Sequence, residues 1–156
     1  GTPLGRLGEP EDVADTIEDA YRRGKNHAII IIAEGANFRT TDLAKAIIQA
    51  HPNLKGFFGA NEGSIIGVLN AVTELGMEGK ITVIGYDAGK QQKDAVRSGV
   101  EAGAVSQDPV GIGYKCVEAA VKAINGEELP KVIDTGFKWY DASNIDSEEM
   151  QPLLYD

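Results

Sequence analysis

The apolar positions of this chain follow two spacings that take turns along its length. Val13, Ile17 and Tyr21 fall at i, i+4 and i+8, the spacing of one helical face. Pro10 suits the first turn of that helix, where its missing N–H is harmless, and Gly24 suits its end. The run Ala28-Ile29-Ile30-Ile31-Ile32 then shows no polar alternation, which predicts a central strand covered on both faces, as in a parallel sheet. Thr40, Thr41 and Asp42 offer capping chemistry for a helix through Ala50, ended by Pro52. The pattern next predicts a strand at Leu54 to Phe58, a helix from Ser64 to Leu75 stopped by Gly76, and a strand at Ile81 to Ile84. A helix at Gln91 to Ser98 and a strand at Ala102 to Ser106 follow. Pro109 opens a long helix with Tyr114, Val117, Val121 and Ile124 on one side and Gly126 after it. The chain is extended again from Val132. It reaches an aromatic cluster, Phe137, Trp139 and Tyr140, read as packing the last strand onto the sheet edge. The acidic stretch Asp146-Ser147-Glu148-Glu149 reads as a solvated helical turn.

Strands that alternate with helices predict right-handed crossovers. The expected fold is therefore an α/β, doubly wound, mostly parallel five-stranded sheet with helices on both faces. No internal repeat, low-complexity segment or linker interrupts residues 1–156, so one domain is expected, and 156 residues are ample for a buried core.

Charge and cysteine content then remove several functions. The net charge of −9 and pI near 4.7 argue against a nucleic-acid partner or an anionic membrane surface, which call for a basic patch. The longest apolar run, Ala28 to Ala33, is too short for membrane insertion. Gly1-Thr2-Pro3-Leu4-Gly5-Arg6 has no hydrophobic stretch of a signal peptide, so the expectation is expression in the cytoplasm. Cys116 is the one cysteine, which excludes an internal disulfide; its place in an apolar helical run predicts a buried, inert thiol. His27 and His51 lack partners at metal-ligand spacing and read as structural, so no metal is expected.

In an open α/β sheet, ligands gather at the carboxyl ends of the strands, where loops present side chains above the edge. The loops there are Glu34-Gly35-Ala36-Asn37-Phe38-Arg39, Gly59-Ala60-Asn61-Glu62-Gly63, Gly85-Tyr86-Asp87-Ala88-Gly89 and Ser106-Gln107-Asp108-Pro109. Asn61, Asp87 and Gln107 bring planar polar groups beside small residues, which suits the hydroxyls of a polyol, since each both donates and accepts. Phe38 adds an apolar face on which a sugar ring can stack. The plainer reading is that Asn61 and Asp87 cap the helices that follow; four equivalent positions together favour a site.

These same loops resemble the type I periplasmic sugar-binding proteins of ABC transporters, the ribose-binding group. The resemblance lies in Asn37-Phe38, in His51-Pro52-Asn53-Leu54-Lys55-Gly56-Phe57-Phe58-Gly59-Ala60-Asn61-Glu62-Gly63 and in Ile84-Gly85-Tyr86-Asp87-Ala88-Gly89. It continues through Ser106-Gln107-Asp108-Pro109-Val110-Gly111-Ile112-Gly113 and Asn125-Gly126-Glu127 to Ile133-Asp134-Thr135-Gly136, and covers residues 36–156. It implies a flavodoxin-like lobe, a periplasmic or extracellular parent family, and sugar contacts from Asn61, Asp87 and Gln107, with Phe38 against the ring. The family closes two lobes on its ligand, whereas this chain matches one, so the resemblance implies weak or lost sugar binding. Residues 1–35 resemble other families. Tyr21-Arg22-Arg23-Gly24-Lys25-Asn26-His27-Ala28-Ile29-Ile30 and Ala33-Glu34-Gly35 are similar to bacterial phosphofructokinase, and Pro3 to Ala14 to short-chain dehydrogenases. An engineered chimera is implied, with a grafted helix and first strand.

Two other functions compete with this one. An enzyme lacks its machinery here: there is no G-x-G-x-x-G after a strand and no Walker loop, so no cofactor and no catalytic residue is assigned. Glu62, Asp87 and Asp108 read as acids placed at helix N-termini for dipole reasons. The second is a self-associating scaffold, a homodimer joined through the exposed lobe face and the aromatic cluster.

Overall fold

The computed structural model describes residues 29–32 and 37–155, with the backbone alone at 29–32, 37 and 38. The predicted helix at Pro10 to Gly24, and the sites at His27 and Ala28, lie outside the described residues. The elements are β1 (Ile29–Ile32), α1 (Asn37–Ala50), β2 (Gly56–Gly59), α2 (Glu62–Glu74) and β3 (Thr82–Tyr86). They continue as α3 (Lys90–Ser98), β4 (Gly103–Gln107), α4 (Pro109–Ile124), β5 (Phe137–Tyr140) and a 3₁₀ turn at Gln151–Leu153.

The five strands lie in chain order. β1 to β4 are parallel, and β5 runs antiparallel to β4, with Gln107 opposite Phe137 and Ala104 opposite Tyr140. The α/β, mostly parallel five-stranded fold holds. Because β2, β3 and β4 are parallel neighbours, their carboxyl ends share one edge of the sheet.

The chain steps across the sheet in one direction, so α1 packs on α2 and α2 on α3. Ala44, Ile48, Leu54, Phe57, Ile65, Val68, Val72 and Val83 form the core beneath them. Burying a side chain such as that of Phe57 contributes about 1.5–3 kcal/mol. A second cluster, Ala88, Val96, Ala104, Tyr140, Ile145, Met150 and Leu153, ties β4, β5 and the C-terminal turns together. Gly99, in the left-handed conformation at φ 79°, closes α3.

One acid lies inside this body. Glu101 is 1% exposed, and its Oε1 accepts from Gln92 Nε2 at 3.4 Å. Gln92 Nε2 also donates to the Tyr86 carbonyl at 3.1 Å. Gln92 Oε1 and Glu101 Oε2 have no hydrogen-bond partner among the described residues. Burial pushes the Glu101 carboxyl up to about 8, against the lowering effect of the Gln92 bond. Space for the pair comes from Gly85: a Cβ there would run into Glu101 Oε1 and stand 2.7 Å from Gln92 Nε2.

Several sequence expectations are corrected. Among the described residues β1 is an edge strand rather than a central one, because pairing order is set by distant partners and not by the run itself. α1 starts at Asn37, so Thr40 and Thr41 are buried within it instead of capping it. Cys116 is exposed, since no residue of α4 is buried. Of the aromatic cluster, Tyr140 is buried, while Phe137 and Trp139 stay exposed.

Candidate functional site

The rim at the carboxyl edge begins where β2 meets α2. A Cβ on Gly59 would stand 2.6 Å from the Ile65 Cα, so only glycine lets strand and helix approach this closely. That approach sets the turn at Asn61. Asn61 Oδ1 accepts from the Ser64 backbone N–H at 2.8 Å, and Ser64 Oγ accepts from the Asn61 N–H at 3.1 Å. This reciprocal box satisfies two of the helix's orphan donors. Asn61 Nδ2 has no partner among the described residues and is left as a donor.

Asp87 follows β3 and is the one described non-glycine residue at positive φ, 77°. Left-handed backbone is tolerated by Asp better than by most residues, yet it is strained unless neighbours hold it. Here they do. Asp87 N–H donates to the Val105 carbonyl at 2.8 Å, and Tyr140 OH donates to the Asp87 carbonyl at 2.7 Å. The carboxylate accepts the Glu62 N–H on Oδ2 at 3.1 Å and the Gln107 amide Nε2 on Oδ1 at 3.1 Å. Asp87 therefore does not cap the helix that follows it; Gly89 stands at that position with no side-chain bond. It caps α2, two loops away, where a negative charge meets the positive end of the helix.

Gln107 ends β4, with Phe137 opposite it in the antiparallel pair. Its Oε1 has no partner among the described residues. The next residue, Asp108, caps α4 through the Gly111 N–H at 2.8 Å. Phe38 is the second residue of α1, at the same edge; its side chain lies outside the described residues.

Two tyrosines complete the rim, and nothing local in the sequence marks them. Tyr155 OH accepts from the Ala88 N–H at 3.4 Å and donates to Glu62 Oε2 at 3.3 Å. Its turn is anchored by Ser106 Oγ, which donates to the Leu153 carbonyl at 2.6 Å. Burial pushes the Tyr155 hydroxyl up to about 12 and raises that of Tyr140 still further, so both remain neutral donors. The rim thus joins free amide donors and acceptors to one carboxylate, with Glu62 and Asp108 beside it. This composition suits a neutral, hydroxyl-bearing ligand better than an anion. Among the described residues no His, Cys, Asp or Glu group is placed to hold a metal, and no helix is long and apolar enough to cross a membrane.

Residues 12–128, three quarters of the chain, match the family model described as a periplasmic binding protein domain. The chain belongs to the periplasmic binding protein family. The match begins at residue 12, inside the stretch that resembles other families. The chain is 32% identical over 101 residues to the D-allose-binding periplasmic protein of Escherichia coli (strain K12), covering 65% of this chain and 32% of that protein. It is 29% identical over 103 residues to the ribose import binding protein RbsB of Salmonella typhimurium, covering 64% and 34%. This periplasmic-binding-protein chain thus spans about a third of the length of these relatives. Among solved structures, an ABC transporter solute binding protein from Agrobacterium vitis with bound D-fucose shares the fold at TM-score 0.80. That pair is 24% identical, covering 93% of this chain and 61% of the other. A second Agrobacterium vitis solute binding protein, bound with α-D-tagatopyranose, is 31% identical at TM-score 0.74, covering 78% and 41%.

Proposed function

We propose that this chain is one lobe of a carbohydrate-binding protein of ABC transport and carries no catalytic activity. Asn61, Asp87, Gln107 and Phe38 grip a small sugar along the carboxyl edge. The observation that supports this most is the Asp87 carboxylate, which gathers the loops after β2, β3 and β4 into one polar rim. The relatives named above are described by monosaccharides, and the rim offers donors and acceptors in the mixture that sugar hydroxyls need. A sugar held on one open rim keeps much of its hydration, whereas binding sites normally bury most of their ligand. Affinity is therefore weak, with Kd of about 1 mM or more. Within this reading residues 1–35 are a graft. Support for the graft is their resemblance to phosphofructokinase and short-chain dehydrogenase segments, and the family match from residue 12 competes with it.

Amide NMR titration with ribose, allose, fucose and tagatose tests the site. Saturating shifts at Asn61, Asp87 and Gln107 at millimolar sugar are expected. Micromolar affinity would overturn the weak-lobe reading, and shifts confined to the opposite sheet edge would overturn the site.

A further inference from the structure

The buried acid and amide beneath β3 connect directly to the rim. Gln92 Nε2 uses both of its hydrogens, one on the Tyr86 carbonyl at 3.1 Å and one on Glu101 Oε1 at 3.4 Å. Gln92 Oε1 and Glu101 Oε2 are then acceptors without a donor among the described residues. Buried acceptors left unpaired are costly, and an ionised Glu101 offers only more acceptors. A proton on Glu101 removes the conflict: Oε2–H donates to Gln92 Oε1, so that acid and amide exchange two hydrogen bonds. The 3.4 Å contact fits this state, because a hydrogen bond to a carboxylate is shorter than one to a neutral acid. The groups that face the carboxyl are uncharged: Gln92 from α3, Gly85 from β3 and Tyr140 from β5. The α3 cations Lys90, Lys93 and Arg97 act on exposed Asp94, and the rim acids Glu62 and Asp87 act on Tyr140 and Tyr155.

Both peptide units that flank the Asp87 side chain are held from this pair. The Tyr86 carbonyl, held by Gln92, belongs to the same peptide plane as the Asp87 N–H, which donates to the Val105 carbonyl at 2.8 Å. On the other side, the Asp87 carbonyl accepts from Tyr140 OH, and that hydroxyl lies in the field of Glu101. Asp87 stands at φ 77°, a conformation that persists only while its neighbours hold it. Its carboxylate in turn gathers the loops of the rim.

We propose that Glu101 and Gln92 form a proton-operated latch on the Asp87 turn: with the proton on Glu101 the rim is held in shape for a sugar, and loss of the proton to solvent loosens that hold. This regulation rests on the sugar reading of the rim given above. When the proton leaves, the carboxylate draws the Gln92 amide toward itself and away from the Tyr86 carbonyl. The peptide before Asp87 loses a donor, and the strained turn loses part of what fixes it. Burial pushes the Glu101 carboxyl up to about 8, so the latch is shut at neutral pH and opens in mild alkali. The rim therefore binds hydroxyl groups more tightly at neutral than at alkaline pH.

Carbon-detected NMR on the full labelled chain follows the Glu101 carboxyl carbon through its titration, alongside the backbone carbonyl carbons of Tyr86 and Asp87. Those two carbons are expected to move with the Glu101 midpoint. In Glu101→Gln they are expected to stay flat over the same range, because a glutamine there exchanges two hydrogen bonds with Gln92 at every pH. D-allose, titrated into the same samples at about pH 6 and about pH 9.5, is expected to bind about fivefold more weakly at the higher pH, and equally well at both in Glu101→Gln. By reciprocity, saturating D-allose raises the Glu101 midpoint by about 0.7 pH unit, the logarithm of that factor. Tyr86 and Asp87 carbons that stay flat through the Glu101 transition would overturn the latch. So would equal D-allose affinity at the two pH values in the unaltered chain, or a Glu101→Gln chain that keeps the pH dependence. D-allose that binds at neither pH overturns the sugar reading of the rim, and the carbonyl titration still decides whether the latch exists. If Glu101→Gln does not fold, the Glu101 and Asp87 titrations of the unaltered chain decide it alone.

Discussion

Gln107 donates its amide to Asp87 Oδ1 across 3.1 Å, and this contact joins the ends of β3 and β4. The other oxygen, Oδ2, takes the Glu62 N–H and brings in the end of β2. One carboxylate thus binds together three loops that are well separated in sequence. Asp87→Ala is expected to lower stability by about 1–3 kcal/mol in urea unfolding, because two donors lose their acceptor. Asp87→Asn keeps one acceptor oxygen and tolerates the left-handed backbone, but turns its NH2 toward the second donor, so its loss should be smaller than that of Asp87→Ala without vanishing. An Asp87→Ala chain with an unchanged urea midpoint would show that the bridging bonds contribute little.

Glu101 sets a pH dependence. Its folded-state pKa, about 8, lies above the ordinary 4.5, so the folded chain holds a proton that the unfolded chain releases. The resulting stability is fully present below pH 4.5 and is lost as pH rises through 8, at no more than about 1.4 kcal/mol per pH unit. Glu101→Gln is expected to flatten the stability curve between pH 5 and 8, measured as urea midpoints at each pH. A variant curve parallel to that of the unaltered chain would assign the dependence elsewhere.

Tyr140→Phe removes the hydroxyl that holds the Asp87 carbonyl at 2.7 Å while keeping the ring buried. The expected loss is about 0.5–1.5 kcal/mol, with amide shift changes centred on Asp87 and Ala88. Spectra that change instead throughout β5 would mean that the ring, and not the hydroxyl, positions the strained turn.

Gly59→Val should be damaging, because Gly59 is buried at the end of β2. The new side chain meets the backbone of Ile65 at 2.6 Å, and backbone cannot step aside as a side-chain tip can. A loss of about 1–3 kcal/mol or more is expected in thermal or urea unfolding. An unchanged midpoint would show that α2 shifts freely on β2.

Much of this was legible in local pattern. Runs such as Gly56 to Gly59 and Thr82 to Tyr86 announce strands, and Asn61 and Asp108 act as the caps that their position before a helix suggests. Non-local pairing was not legible. Four isoleucines in a row look central whether the strand takes the middle or the edge, and among the described residues β1 takes the edge. The stripe of α4 was visible as a stripe, but periodicity does not say whether a face meets protein or water. Asp87 resembled a cap for its own helix; its actual partners, Glu62, Gln107 and Tyr140, come from three other parts of the chain. Glu101 gave no signal at all, because an acid enters a core only where something distant makes room.

That room is Gly85, and its emptiness couples two positions that are not neighbours in the chain. Any side chain at 85 would evict the carboxyl from beneath β3. In a library randomised at both sites and sorted for folding, alanine or larger at 85 should survive only alongside a shortened residue at 101. The acid and the missing methyl would then be inherited as a unit, and natural variants that change one without the other should be rare.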